Sequence, residues 1–120
     1  MTGKVIQSEA LLNITFIYDK GKRTAIEFVV DTGFAGGLTL PQQAIDAFKL
    51  PFYEAIETTL ANGQVFMTSS YVGTILWSGS EIRVVVLAME SRPLLGTSLL
   101  AGNRLGIEFK EHGLVVVSSL

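Results

Sequence analysis

Asp31-Thr32-Gly33 sets a carboxylate on a tight turn at the end of an apolar run, Ile26-Glu27-Phe28-Val29-Val30. Asp is depleted in strands, and its charge is costly in an apolar setting unless hydrogen bonds or a use for it compensate. The chemistry open to such a group is acid–base work on a water molecule. Peptide hydrolysis without a metal or a covalent nucleophile needs an acid and a base close together, and two carboxylates sharing a proton supply both. At about 4 Å and an effective dielectric near 20, two such charges repel by about 4 kcal/mol. That is worth roughly three pKa units, so near neutral pH one of the pair can hold its proton while the other stays ionised. The ionised member takes a proton from the water and the protonated member donates to the carbonyl oxygen. The resulting pKa values belong to the pair and to neither residue alone.

The chain contains one such triplet. Asp19 sits in the polar turn Asp19-Lys20-Gly21-Lys22 and Asp46 in a helical stretch, so neither has the setting of a partner. A second Asp31, from an identical chain across a two-fold axis, is the simplest source of the missing acid. The plainer alternative is an ordinary turn after a strand, with Asp31 as a local hydrogen-bond acceptor.

Other residues carry weaker chemistry. His112, the single histidine, lies between Glu111 and Gly113 and reads as a solvated turn; without cysteine or a second histidine no metal site is expected. Gly33 to Gly37 lacks the Gly-Lys-Ser/Thr of a phosphate loop and the spacing of a dinucleotide fingerprint. The pairs Ser69-Ser70 and Ser118-Ser119 have no elbow motif. Trp77 is expected in the core or behind the hairpin, Tyr71 beside the hairpin within reach of a substrate backbone, and Glu54 and Glu57 in solvent. No cofactor is expected.

The elements that must position Asp31 are mostly short strands. Leu11 to Tyr18 and Arg23 to Val30 flank the polar turn, and the second puts Ile26, Phe28 and Val30 on one face. Leu38 to Leu40 follows the glycine-rich turn. Pro41 suits a helix start, with Ala44, Ile45 and Phe48 on one face before Pro51. Runs 54–60 and 64–68 flank Ala61-Asn62-Gly63, and Asn-Gly between two strand-like runs is a strong hairpin signal. Runs 71–77 and 82–88 form a second hairpin around Ser78-Gly79-Ser80. Leu94-Leu95-Gly96 closes another strand, 98–104 reads as a short helix weakened by Gly102, and 105–110 with 114–118 makes a last pair.

A strand into Asp-Thr-Gly, a glycine-rich turn, an Asn-Gly hairpin and an apolar-apolar-Gly strand occur in this order in the retropepsin-like aspartic proteases, as catalytic loop, flap and supporting strand. The chain resembles that family from about Arg23 to Phe109, and is most similar to its small single-domain bacterial and archaeal branch, whose catalytic loop reads Asp-Thr-Gly-Phe. The resemblance implies an all-β acid-protease barrel with one or two short helices, working as a symmetric homodimer on a peptide or protein substrate. It makes Asp31 catalytic; Thr32, Gly33 and Phe34 its loop, with Thr32 bonding across the dyad; Ala61, Asn62 and Gly63 the flap tip over the substrate; and Leu94, Leu95 and Gly96 the support. Two departures stand out. Phe34 replaces the usual Ala or Ser and is expected to crowd the substrate channel. Ala35 and Thr97 occupy the positions of an acid–Arg pair in retroviral members, and Arg104 lies too far along to serve, so dimerisation falls to apolar burial and terminal strands such as 114–120.

Composition bounds the partners. The 120 residues are expected to form one domain, 1–120. A net charge of −2 gives no basic footprint for nucleic acid. No apolar run reaches the roughly 18 residues of a membrane span, no targeting segment is evident, and the absence of cysteine fits a reducing compartment, so a cytoplasmic protein is expected. Mean hydropathy of +0.44 is high for so small a chain and suggests apolar surface buried against another copy. The expected function is an aspartic endopeptidase. The alternatives are a peptide-binding or dimerisation module of the same fold with little or no hydrolysis, and a structural β domain.

Overall fold

The computed structural model describes residues 1–59 and 62–120. Ten strands join in one sheet: β1 (Thr2–Ile6), β2 (Glu9–Tyr18), β3 (Lys22–Val30), β4 (Leu38–Leu40), β5 (Phe52–Thr59), β6 (Val65–Trp77), β7 (Ser80–Ala88), β8 (Leu94–Leu95), β9 (Asn103–Ile107) and β10 (Leu114–Ser119). Two short helices, α1 (Gln42–Ala47) and α2 (Thr97–Leu100), lie between strands. The strand order is β5-β6-β7-β4-β8-β3-β2-β1-β10-β9, and a further β6–β2 pairing, Phe16 opposite Ile75, closes the six strands from β6 to β2 into a barrel. Closure removes free edges from that part of the sheet.

Alternation along the strands fills the barrel. Phe16, Phe28, Leu12, Ile14, Leu38, Leu40, Ile75, Val86 and Leu95 are buried. The stripe expected on β3 holds: Phe28 is enclosed, and Ile26 and Val30 pack against the same core. Helix α1 begins after Pro41, whose φ of −65° suits a helix entry. The first free helical N–H, that of Gln42, is taken by the Glu90 carboxylate at 2.9 Å. Phe48 then stacks on Tyr18 with ring centroids 4.4 Å apart. Trp77 packs against the core, as expected.

Several expectations need correction. The expected runs 64–68 and 71–77 are one thirteen-residue strand, β6 (Val65–Trp77), serving both hairpins. The residues after Met1, polar in appearance, form β1, because Val5 is buried while its neighbours meet solvent. The helix expected over 98–104 stops at Leu100: Gly102 has φ +80°, and Asn103 already belongs to β9. Strand 105–110 is Asn103–Ile107. The terminal strand β10 is paired within the chain by β1 over Leu114–Val116 and by β9 over Val115–Ser119.

Strand β8 is two residues long, yet it is inserted between β3 in parallel and β4 in antiparallel orientation. The amide of Leu94 donates to the hydroxyl of Thr39, at 2.9 Å, on a fully buried side chain. Thr39→Val keeps the shape and leaves that amide without its acceptor. The expected cost is about 1–3 kcal/mol, the usual penalty for an orphaned buried donor, read as a lower melting temperature.

At the opposite end, the Asp19 turn is held by Lys22 and Lys49, 3.1 and 3.3 Å from the carboxylate. The hydrogen bonds from Lys22 and Lys49 hold its pKa below the ordinary carboxylate range. A lowered folded-state pKa stabilises the fold above the unfolded value and loses that stabilisation as pH falls through the folded one. Asp19→Asn is therefore expected to flatten the acid limb of a stability–pH curve below about pH 4, by a small amount that salt reduces further.

Candidate active site

Strand β3 ends at Val30 and delivers Asp31 to a loop stitched to the β8–α2 segment. Asp31 N donates to Leu95 O at 2.9 Å, Thr97 N to Phe34 O at 2.8 Å, Ser98 N to Gly36 O at 3.2 Å, and Gly96 N to Gly37 O at 2.8 Å. Within the loop, Phe34 N donates to Asp31 O at 3.1 Å and Gly33 N to Asp31 Oδ1 at 2.9 Å. The turn thus holds one carboxylate oxygen against its own backbone and fixes the direction of the group. Asp31 is half-buried, and Thr32 and Gly33 are exposed. Among the described residues the Thr32 hydroxyl has no partner within the chain.

Asp31 and Thr32 line a concavity of about 300 Å³ together with Ser8, Glu9, Ala10, Val29, Val30, Ile107 and Phe109. The walls come from the β1–β2 turn, the end of β3 and the segment after β9. Nothing in the sequence pointed to that last wall, because Ile107 and Phe109 lie more than seventy residues from Asp31 in the chain.

Phe34 turns its half-exposed ring toward glycines of its own chain. Its ring folds back over Gly36 and Gly96: a Cβ on Gly36 would stand 2.5 Å from Phe34 Cζ, and one on Gly96 2.5 Å from Phe34 Cδ2. The ring therefore serves as packing beneath the loop. The acid–Arg pair is absent at Ala35 and Thr97, as the sequence indicated. In its place the Thr97 amide and hydroxyl both donate to Phe34 O, at 2.8 and 3.3 Å. A different ion pair, Arg92 with Glu9, ties the segment before β8 to the start of β2 beside the concavity.

The supporting residues Leu94, Leu95 and Gly96 sit directly behind the Asp31 loop. Of the hairpin tip, Ala61 lies outside the described residues; Asn62 and Gly63 form a turn in which Asn62 Oδ1 accepts from Gln64 N at 3.0 Å. Among the described residues the hairpin is paired as far as Thr59 opposite Val65. It is also apolar outside: Phe52, Tyr53, Val65 and Met67 are each more than half exposed. Tyr71 lies on β6 and makes contacts within the chain. Its hydroxyl lies 3.2 Å from Gln42 Nε2 and its ring meets the edge of Phe52. Asp46 is exposed and bound to Gln42, Glu54 and Glu57 face solvent, and His112 is an exposed turn residue at φ +64°. No group of metal-ligating side chains occurs among the described residues, and no helix is long and apolar enough to cross a membrane.

A closed barrel, a two-residue strand inserted behind an Asp-Thr-Gly loop and a long apolar hairpin define the retropepsin-like fold. No known protein-family model matches the chain, and no curated protein does. Among solved structures it is similar to the EIAV protease complexed with the inhibitor HBY-793. The TM-score is 0.58 over 78% of this chain and 86% of that one, at 19% sequence identity. At that identity the likeness shows the shared fold.

Proposed function

We propose that the chain is an aspartic endopeptidase, active as a symmetric homodimer of the 1–120 domain, with the Asp31 carboxylates of two copies sharing one proton. The observation that supports it most directly is the fixed, half-buried Asp31 carboxylate on an exposed loop, with the Thr32 hydroxyl beside it lacking a partner among the described residues. The structural neighbour is itself a protease, seen with an inhibitor bound.

In this reading a water lies between the two carboxylates. The ionised one removes a proton from the water as the water's oxygen attacks the peptide carbonyl, while the protonated one donates to the carbonyl oxygen, giving a gem-diol. As the C–N bond breaks, the first carboxyl gives its proton to the leaving nitrogen and a gem-diol hydroxyl returns a proton to the second. Gly33 N holds the carboxylate in plane, and Thr32 bonds to the partner loop. An extended peptide lies across the two loops under the apolar hairpins, whose tips are Ala61, Asn62 and Gly63, and exchanges backbone hydrogen bonds with them. No cofactor takes part.

The deciding experiment compares wild type and Asp31→Asn on casein and a peptide library across about pH 4–7, the range suited to a carboxylate pair. Cleavage by wild type alone supports the reading. Equal cleavage by both, or peptide binding without cleavage by either, sinks it, the latter outcome favouring a binding module.

A further inference from the structure

Phe109 is 71% exposed, an unusual position for a phenyl ring, and it stands on the lip of the concavity that Asp31 and Thr32 line. On its other side it borders a second hollow, lined by Val5, Gln7 and Ser8. The hairpin that carries it is tied down: His112 N donates to Val5 O at 2.8 Å and Gln7 N to Glu111 Oε1 at 3.0 Å. The backbone beneath the ring is thus held, and the ring stands beside a hole whose apolar lining is Ala10, Val29, Val30 and Ile107 and whose polar lining is Ser8, Glu9, Asp31 and Thr32.

We propose that Phe109 is the anchor of the homodimer, inserting into the partner's Asp31 concavity while the partner's knob fills the reciprocal one. This rests on the shared-proton reading above, which needs a second copy on the Asp31 face. A two-fold interface is self-complementary, so a knob and a hole side by side on one surface are what it requires. A ring seated in the hole lies beside one Asp31, and its own chain's Asp31 lines the same concavity as that ring. Both carboxylates are thereby drawn toward the axis. β9, the strand just before Phe109, ends the sheet with one edge unpaired among the described residues. Large, rigid aromatic side chains in desolvated pockets carry most of the energy of an interface.

The test uses the full chain as wild type, Phe109→Leu and Phe109→Asp, with molar mass by sedimentation equilibrium and cleavage rate measured against protein concentration. Exposure of the ring means that neither change disturbs the monomer fold, and circular dichroism verifies this. Phe109→Asp is expected to raise the monomer–dimer dissociation constant by about 100-fold or more, as for loss of a hot-spot aromatic. Its activity returns as concentration rises; Phe109→Leu remains close to wild type. A Phe109→Asp protein that dimerises as wild type does overturns the anchor, and if its KM alone rises, the concavity is a substrate pocket instead. Wild type that stays monomeric overturns it too. Wild-type dimers that Phe109→Asp dissociates, but that cleave nothing, uphold the anchor and remove the peptidase.

Discussion

Asp31→Asn is expected to abolish peptide cleavage while leaving both fold and dimer in place. The carbonyl oxygen of Asn can still accept from Gly33 N, the one hydrogen bond the structure gives this side chain, so the loop keeps its geometry. The two amides can neither remove a proton from water nor deliver one to a carbonyl oxygen. Loss of general acid–base chemistry alone costs on the order of 10²- to 10⁴-fold, and here acid and base disappear together, so a fall of at least about 10³-fold is expected. A single catalytic carboxylate would give the same loss, so a second measurement separates them. When wild-type and Asp31→Asn chains are mixed in equal amounts and allowed to exchange, random pairing leaves about one quarter of the dimers with two aspartates. The mixture should show about a quarter of the wild-type rate per total protein. A rate near one half would mean that each subunit works alone, which would refute the shared pair.

What the sequence revealed and what it hid divide along physical lines. Asp31, the stripe Ile26-Phe28-Val30 and the Asn62-Gly63 turn were legible because each is local: a carboxylate out of place, a period of two, a turn dipeptide. The support from Leu94-Leu95-Gly96 was legible through its resemblance to a known arrangement. The joining of runs 64–68 and 71–77 into one strand was not, since Ser69 and Ser70 look like punctuation in sequence while Ser70 is buried on the strand. β1 escaped notice because a strand of five residues with one buried side chain has almost no pattern of its own; its partners, β2 and β10, define it. The orientation of Phe34 could not be read either. Only the three-dimensional pairing of the loop with Gly96 shows that the ring has space behind it. The Ile107–Phe109 wall and the Arg92–Glu9 pair are contacts across long separations, and no local pattern encodes them.

Gly96→Ala is expected to be among the most destabilising single substitutions in the chain. The backbone there is extended, φ −110° and ψ −177°, which any residue can adopt, so the requirement for glycine is one of space. A Cβ at this position would lie 2.5 Å from Phe34 O and 2.5 Å from Phe34 Cδ2, and nearer still to Gly36 O. Two of the three obstacles are main-chain carbonyls, which cannot swing away as a side-chain end can. Both accept the hydrogen bonds from Thr97 and Ser98 that hold the Asp31 loop to α2. Relief requires the loop to lift off β8, which breaks those bonds and uncovers the Phe34 ring. Overpacking in a well-filled region costs typically 1–3 kcal/mol, and the loss of the stitching bonds adds to it, so about 3 kcal/mol or more is expected. For a chain of this size that is a fall of roughly 10 °C in melting temperature. Truncating the ring in a Gly96→Ala, Phe34→Ala double variant should restore little, because the two carbonyls remain. Gly33→Ala provides the contrast: its Cβ would meet only Asp31 Oδ1, at 3.2 Å. That change should leave the melting temperature nearly unaltered and reduce cleavage by turning the carboxylate. Were Gly96→Ala as stable as wild type, the close seating of the loop on β8 would be wrong, and with it the account of how one carboxylate is held in place to meet its twin.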